Sequence, residues 1–194
     1  MSFWKKLLGI KDSAHQPDLQ TPPAPSSTSR AIEETHAPEP AVRLARVVLY
    51  QSDEEIQYRL ASSQTVLKEY LDRVVNRCDE FFQNQQPQPG RLATLFIALK
   101  PPHLRRFWIA SEPPGLESRN CHELLSLLEQ LPPPLVQHGP LAFALQLNVW
   151  NGEGPEDIWP WMPKEWTQAT VGRSVRIPDE LLEIVWTEEE QPPL

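Results

Sequence analysis

The sequence predicts an α+β fold: a single domain over residues 42–187 in which two or three helices cover one face of an antiparallel or mixed sheet. Three observations support this fold class. The side chains of residues 141–150 alternate between two faces, as in a β-strand. Residues 56–81 carry apolar side chains at helical spacing. Residues 92–110 contain two apolar runs around a proline-containing turn, which is typical of a hairpin.

The domain begins with a predicted strand over residues 44–50, and a helix follows it. Ser52 and Glu55 match a capping box, in which the serine side chain accepts from a first-turn N–H and the glutamate reaches back. Apolar residues then recur on one stripe: Ile56, Leu60, Leu67, Tyr70 or Leu71, Val74, Cys78 and Phe81. The pattern fits one long helix or two helices broken near Ser62 and Ser63.

The middle of the domain is predicted to contain a hairpin, a helix and a strand. Residues 92–99 and 104–110 form the hairpin, because a short segment with two prolines separates the two apolar runs. Residues 120–123 match a second capping box, which opens a leucine-rich helix that ends at three consecutive prolines. Residues 141–150 form the last predicted strand.

The C-terminal part of the domain carries three tryptophans in a predicted irregular loop: Trp159, Trp161 and Trp166. Aromatic side chains exposed on loops contribute strongly to binding, so these three residues are a candidate interface. In the alternative, they cover the sheet as a lid, and their indole N–H groups find partners at its rim. Pro178 and the two acids after it indicate the start of a short helix.

The first eleven residues combine three lysines with large apolar side chains and contain no acid. On a helix, the apolar residues would fall within an arc of about 160°. The segment is a candidate membrane- or partner-binding site, formed by Phe3, Trp4, Lys5, Lys6, Leu7, Leu8, Ile10 and Lys11. It is too short for the core of a signal peptide. The alternatives are docking on the protein's own domain, docking in a partner's groove, or disorder.

Two further segments lie outside the predicted domain. Residues 12–41 are rich in proline and small polar residues, and we predict a disordered linker there because proline removes backbone donors and disfavours packed elements. Residues 188–194 form a predicted acidic tail. Most of the net negative charge is C-terminal, since residues 152–194 hold ten acids and three bases.

The composition narrows the class of protein. The chain has 194 residues, and 18 Lys plus Arg against 26 Asp plus Glu give a net charge of −8. This balance argues against a nucleic-acid partner, because nucleic-acid binders neutralise phosphates with basic residues. Arg105 and Arg106 do not form a basic stripe, since neighbouring strand residues point to opposite faces.

The cysteine count and the hydropathy pattern indicate a compartment. Two cysteines cannot build a disulfide framework and fit a reducing compartment. No stretch approaches the roughly 18 apolar residues that a membrane span requires. We therefore expect a cytoplasmic protein of a bacterial type, with peripheral contact at the inner membrane as an option for its N-terminal segment.

The sequence lacks the motifs of several common chemistries. It contains neither a glycine-rich phosphate-binding motif nor a GxSxG nucleophile elbow. His122 and Glu123 begin like a zinc-binding HExxH motif, but Ser126 stands where the second histidine is needed. We therefore predict no catalytic residue, no metal site and no cofactor.

Cys121 is the best candidate for an enzymatic alternative. Its predicted place is the first turn of a helix, where the helix dipole favours a thiolate. His122 points about 100° away from it on a helix, so His103 or His138 would have to act as the base. The structural alternative is a small buried residue at a helix start.

Four features follow one another in a recognisable order: the apolar run 92–99, the turn at Pro101 and Pro102, the leucine-rich helix, and Gly139-Pro140 before the last strand. This order of hairpin, helix and strand over residues 90–150 resembles the C-terminal domain of TonB-type proteins. The resemblance implies the local order of elements, and no function or individual functional residue is carried over from it.

Taken together, these observations favour a non-enzymatic interaction module whose partner is another protein. In one version of this hypothesis, the N-terminal segment holds the module at a membrane surface. One alternative is an acidic inhibitor or immunity-type protein that binds a basic toxin or enzyme. A second alternative is a thiol-dependent enzyme that uses Cys121.

Overall fold

A four-stranded sheet forms the centre of the molecule. In the computed structural model, the described residues are 39–112, 116, 119–152, 162–172, 174 and 178–186. The strands are β1 (Val42–Leu49), β2 (Arg91–Lys100), β3 (Leu104–Glu112) and β4 (Leu141–Val149). They lie in the order β1-β4-β2-β3, and each neighbouring pair is antiparallel. The predicted α+β class is confirmed.

The two central strands, β2 and β4, are covered on both faces of the sheet. On β2, Leu95 and Ile97 face one core layer and Phe96 faces the other, as the two-residue period of a strand requires. The predicted hairpin of β2 and β3 is confirmed, with its turn at residues 101–103 and an unbroken register along both strands. This pairing places β3 at one edge of the sheet.

Three helices cover the first face of the sheet: α1 (Asp53–Arg59), α2 (Gln64–Gln83) and α3 (Arg119–Leu128). The capping box is confirmed, because the Glu55 N–H donates to Ser52 Oγ and the Ser52 N–H donates to Glu55 Oε2, both at 3.2 Å. The helix is broken in two, as one alternative predicts. Leu60, at the break, forms an isolated bridge with Val136.

The first core layer lies between these helices and the sheet. The buried helix side chains in this layer include Leu67, Tyr70, Leu71, Val74, Cys78, Phe82, Leu124 and Leu128. The N–H of Val42 donates to Asp79 Oδ1 at 2.9 Å, which ties the start of β1 to α2. The predicted cap at Asn120 is wrong, because α3 begins one residue earlier and a cap residue cannot lie inside its own helix.

Two short helices, α4 (Lys164–Thr170) and α5 (Asp179–Val185), lie on the opposite face and enclose a second core layer. The prediction of two or three helices on one face holds for α1, α2 and α3, and the structure adds this second pair. Trp166 lies in α4 and not in the predicted irregular loop. A seven-residue helix is too short for a periodic signal, and tertiary burial stabilises it. The helix start predicted at Pro178 is confirmed.

Arg59 connects the two helical layers. Its Nη1 donates to the carbonyl of Pro140 at 2.8 Å, and its guanidinium forms a two-pronged pair with Asp179, the first residue of α5. The hydrogen bond to Asp179 raises the pKa of Arg59, while burial acts in the opposite direction. Gly139, with a φ of +126°, leaves room for this guanidinium, since a Cβ there would lie 3.2 Å from Nη1.

Some predicted features lie outside the described residues. They are the N-terminal segment 1–11, most of the predicted linker, Trp159, Trp161 and the predicted tail 188–194. The described chain begins at Glu39, and β1 begins at Val42, where the sequence predicts the domain to start.

Candidate binding groove

Trp166 is the one candidate interface tryptophan within the described residues, and its side chain is fully buried. Its ring contacts those of Tyr50, Phe96 and Trp108, with centroid distances of 5.6, 5.6 and 5.4 Å. These contacts place Trp166 in the second core layer, as the lid alternative expects. Its Nε1 has no hydrogen-bond partner among the described residues, so the expected partner at the rim is not found there.

A groove of about 550 Å³ lies along β3, between a helix on each face of the sheet. Its floor is formed by residues 108–112, the second half of β3. One wall comes from α3, through Cys121, His122 and Leu125, and the other comes from residues 162–165 at the start of α4. This volume falls within the range of about 300–1,000 Å³ that is typical of ligand pockets.

The two edge strands of the sheet differ in their regularity. The register of β1 against β4 shifts between Leu44 and Arg46, and such a bulge disturbs the ladder of an edge strand. In contrast, β3 pairs with β2 without interruption, and β2 is its single strand neighbour in the described sheet. The outer side of β3 therefore presents the regular backbone spacing that an added strand needs.

Two arginines at the start of β3 attach helices on the two faces of the sheet. Arg105 Nε donates to the carbonyl of Glu129, just after α3, at 2.6 Å. Arg106 Nη1 donates to the carbonyl of Val185, at the end of α5, at 2.7 Å. The predicted opposite orientation of the two side chains is confirmed. Both serve as partners for carbonyl groups that follow or end a helix.

Cys121 is part of the α3 wall. Its thiol donates to the carbonyl of Leu116, and the N–H of Leu116 donates to Ser111 Oγ at 3.2 Å. These bonds tie the beginning of α3 to β3. Cys121 lies in the first turn of α3, as predicted, and is buried. In this position the thiol acts as a structural donor inside the wall.

The three histidines of the domain occupy different places. His122 is exposed at the groove, next to Cys121 in the chain. His103 lies in the exposed hairpin turn. His138 stacks on the ring of Tyr58, with 4.6 Å between the ring centroids. His138 therefore packs against Tyr58, a residue far from Cys121 in the chain.

Charged side chains stand at the rim of the groove. Glu112, Lys164 and Glu165 are exposed and contribute to its lining. The remaining lining is mostly apolar, with Ile109, Leu125 and Met162 among its members. The groove therefore combines apolar walls with a rim on which carboxylates outnumber ammonium groups.

Two acids of the C-terminal region are engaged within the chain. Asp179 pairs with Arg59, and Glu183 Oε1 lies 2.8 Å from Lys100 Nζ. These pairs hold α5 against the rest of the domain. They also reduce the acidic surface that the inhibitor alternative would use.

The chain matches no known protein family, no curated protein and no solved structure. The resemblance of residues 90–150 to TonB-type proteins therefore stays a prediction, although the described elements follow the predicted order of hairpin, helix and strand. Among the described side chains, no group of three or more His, Cys, Asp or Glu is arranged to hold a metal ion. None of the described helices combines the length and the apolar character needed to cross a membrane.

Sequence reasoning did not identify residues 108–112 as a site. The pattern places them on a strand, but the order of strands in a sheet depends on long-range pairing. One local signal was available: β3 carries Arg105, Arg106 and Glu112, whereas β4 contains no charged residue. Charged residues are typical of an edge strand.

Proposed function

We propose that the protein is a non-enzymatic interaction module that binds an extended segment of a partner protein along the edge of β3. The observation that carries this proposal is the groove itself, whose floor is five consecutive residues of an unbulged edge strand, 108–112. An extended peptide added to such an edge gains main-chain hydrogen bonds, and its side chains enter pockets on alternate sides.

The alternation of β3 matches this binding mode. Trp108 and Ala110 face the second core layer, while Ile109 faces the first. An added strand would follow the same pleat, so its side chains would meet the α3 wall and the α4 wall in turn. Leu125 and Met162 are half-buried and supply apolar contact on the two sides.

The rim indicates the chemistry of the partner segment. Glu112 and Glu165 are exposed near the apolar walls, and Lys164 is the basic residue among these three. A segment with apolar side chains at alternate positions and flanking lysine or arginine would satisfy both features. We therefore propose a basic, apolar peptide segment as the ligand.

The same contacts weigh against the two alternatives. The thiol of Cys121 donates to a backbone carbonyl in the groove wall, which supports a structural role. Asp179 and Glu183 are paired with basic residues of the chain, which weakens the case for an acidic inhibitor surface. Cys78 and Cys121 are free thiols, in keeping with the proposed cytoplasmic location.

The proposal is tested by selecting peptides from a phage-displayed random library on the full-length protein. We expect the selected peptides to be basic and apolar, and to shift the backbone amide NMR signals of residues 108–112. N-methylation at alternate peptide positions should abolish binding, since every second N–H bonds to β3. Peptides that bind elsewhere, or that tolerate N-methylation at every position, would contradict strand addition.

Wall variants provide the matched comparison. We expect Leu125→Lys and Met162→Lys to weaken binding of a selected peptide at least tenfold, because each places a charge in an apolar wall. Val171→Lys changes an exposed apolar residue beyond α4 and should leave binding unchanged. Equal losses in all three variants, or no loss in the wall variants, would count against the groove.

A further inference from the structure

We infer that residues 1–11 of the same chain occupy the groove when no partner is bound. The chain then regulates its own binding site, and a partner must displace the segment. This inference rests on the proposed function, because it requires the groove beside β3 to accept a peptide segment.

The chemistry of the segment matches the chemistry of the groove. Residues 1–11 hold three lysines and no acid, and their apolar side chains include two aromatic rings. The groove offers apolar walls at Leu125 and Met162 and carboxylates at Glu112 and Glu165. Arg105 and Arg106, which lie beside Phe107 and Trp108 in the chain, are already bonded to carbonyl groups of the domain.

The length of chain before the domain permits this contact. Residues 12–38 separate the segment from Glu39, where the described structure begins, and could span up to about 90 Å when extended. A domain of this size has a radius of gyration of about 15 Å, so the segment can reach any face of it. Proline-rich composition favours an extended chain over this distance.

Attachment to the same chain makes even weak docking effective. A tethered segment has an effective concentration of about 1 mM, which would fill a site with a dissociation constant of about 0.1 mM to roughly nine-tenths. A membrane surface lacks this advantage, because a short amphipathic segment binds it weakly and in competition with the tethered site. A second copy is also disfavoured, since the helical walls on both sides of β3 would meet those of the other copy.

The test uses the full-length protein with the photoreactive analogue p-benzoylphenylalanine in place of Phe3. Benzophenones react preferentially with methionine side chains, and Met162 lies in the groove. We expect crosslinks within one chain to the region around Met162 and to β3. The same analogue at Ser26, within the predicted linker, is the control and should give few crosslinks there.

Each other outcome overturns the inference. Crosslinks between two chains would identify a second copy as the occupant. An absence of groove crosslinks in solution, together with binding of the protein to vesicles of phosphatidylserine and phosphatidylcholine, would identify the membrane as the surface that the segment contacts. Equal crosslinking to the groove from positions 3 and 26 would indicate non-specific contact and no defined binding of residues 1–11. Crosslinking at Phe3 that persists in Leu125→Lys would place the segment elsewhere.

A second measurement separates this inference from the proposed function. The affinity of a library-selected peptide is compared between the natural chain and the Leu7→Asp, Leu8→Asp double variant. If the segment fills the groove to roughly nine-tenths, the double variant should bind the peptide about tenfold more tightly. Equal affinities would contradict occupancy of the groove by residues 1–11 and leave the proposed function of the groove intact. A lack of peptide binding to either protein would contradict both proposals.

Discussion

A Cβ atom on Gly152 would lie 2.1 Å from the backbone nitrogen of Arg91 and 2.4 Å from its carbonyl oxygen. These atoms belong to the first residue of β2, so no side-chain rotation can relieve the clash. The approach follows a turn in which Trp150 and Asn151 have φ values of 49° and 58°. The exit from β4 is therefore held against the start of β2 by a position that only glycine can occupy.

We expect Gly152→Ala to lower the free energy of unfolding by about 3 kcal/mol, because the backbone must shift to admit the methyl group. Urea denaturation measures this change. Gly172→Ala is the matched control: its φ is +68° and nothing lies within 4 Å, so it should cost only about 1 kcal/mol in backbone strain. Similar losses in the two variants would show that the contact with Arg91 is not the cause.

Asp179→Asn should destabilise the protein by about 2 kcal/mol, because it removes the closer of the two carboxylates beside Arg59 and leaves the more distant Glu55. The Arg59 side chain is 11% exposed and that of Asp179 is 35% exposed, so the loss is smaller than for a fully buried pair. A double-mutant cycle with Arg59→Met, measured by thermal unfolding, isolates the interaction. A coupling energy near zero would show that the Arg59–Asp179 pair does not stabilise the contact between α1 and α5.

Arg106→Met should lower the free energy of unfolding by about 1 kcal/mol, since it keeps an apolar stem and removes the hydrogen bond to the Val185 carbonyl. It also removes the guanidinium that lies 5.1 Å from the ring centre of Trp108. Amide hydrogen exchange should show faster opening of α5 in this variant, with α2 unaffected. Uniform acceleration across both helices would instead indicate a global effect.

Much of the fold could be predicted because its signals are local. Ser52 and Glu55 are three residues apart, and their reciprocal hydrogen bonds follow from that spacing alone. The alternation along β4 likewise predicts which side chains share a face. Trp166 was harder to place, because its helix has only seven residues and its burial depends on partners as distant as Tyr50 and Phe96.

The groove depends on information that no short window of the sequence contains. Residues 108–112 become a site only because β3 is an edge strand and because α3 and α4 lie on opposite faces of it. Because β4 pairs with β2 on one side and with β1 on the other, β3 is left at the edge of the sheet. These pairings join residues far apart in the chain. Charged residues on β3 were the available hint, but they are also common on any partly exposed strand.

The buried thiol of Cys78 should make the protein less stable in alkaline solution. Burial first, and then nearby Asp79 and Cys121, raise the pKa of Cys78 from 9.0 to about 12. The folded state therefore keeps a proton that the unfolded state loses above pH 9, so the stabilisation is fully present below pH 9 and is lost as pH rises toward 12. We expect this group to lower the free energy of unfolding by about 1 kcal/mol per pH unit in that window.

Urea denaturation under reducing conditions from pH 8 to pH 10 measures this pH dependence. Cys78→Ala should be less stable at pH 8 because of the cavity, but its stability should depend less steeply on pH. Parallel curves for the two proteins would contradict the assignment.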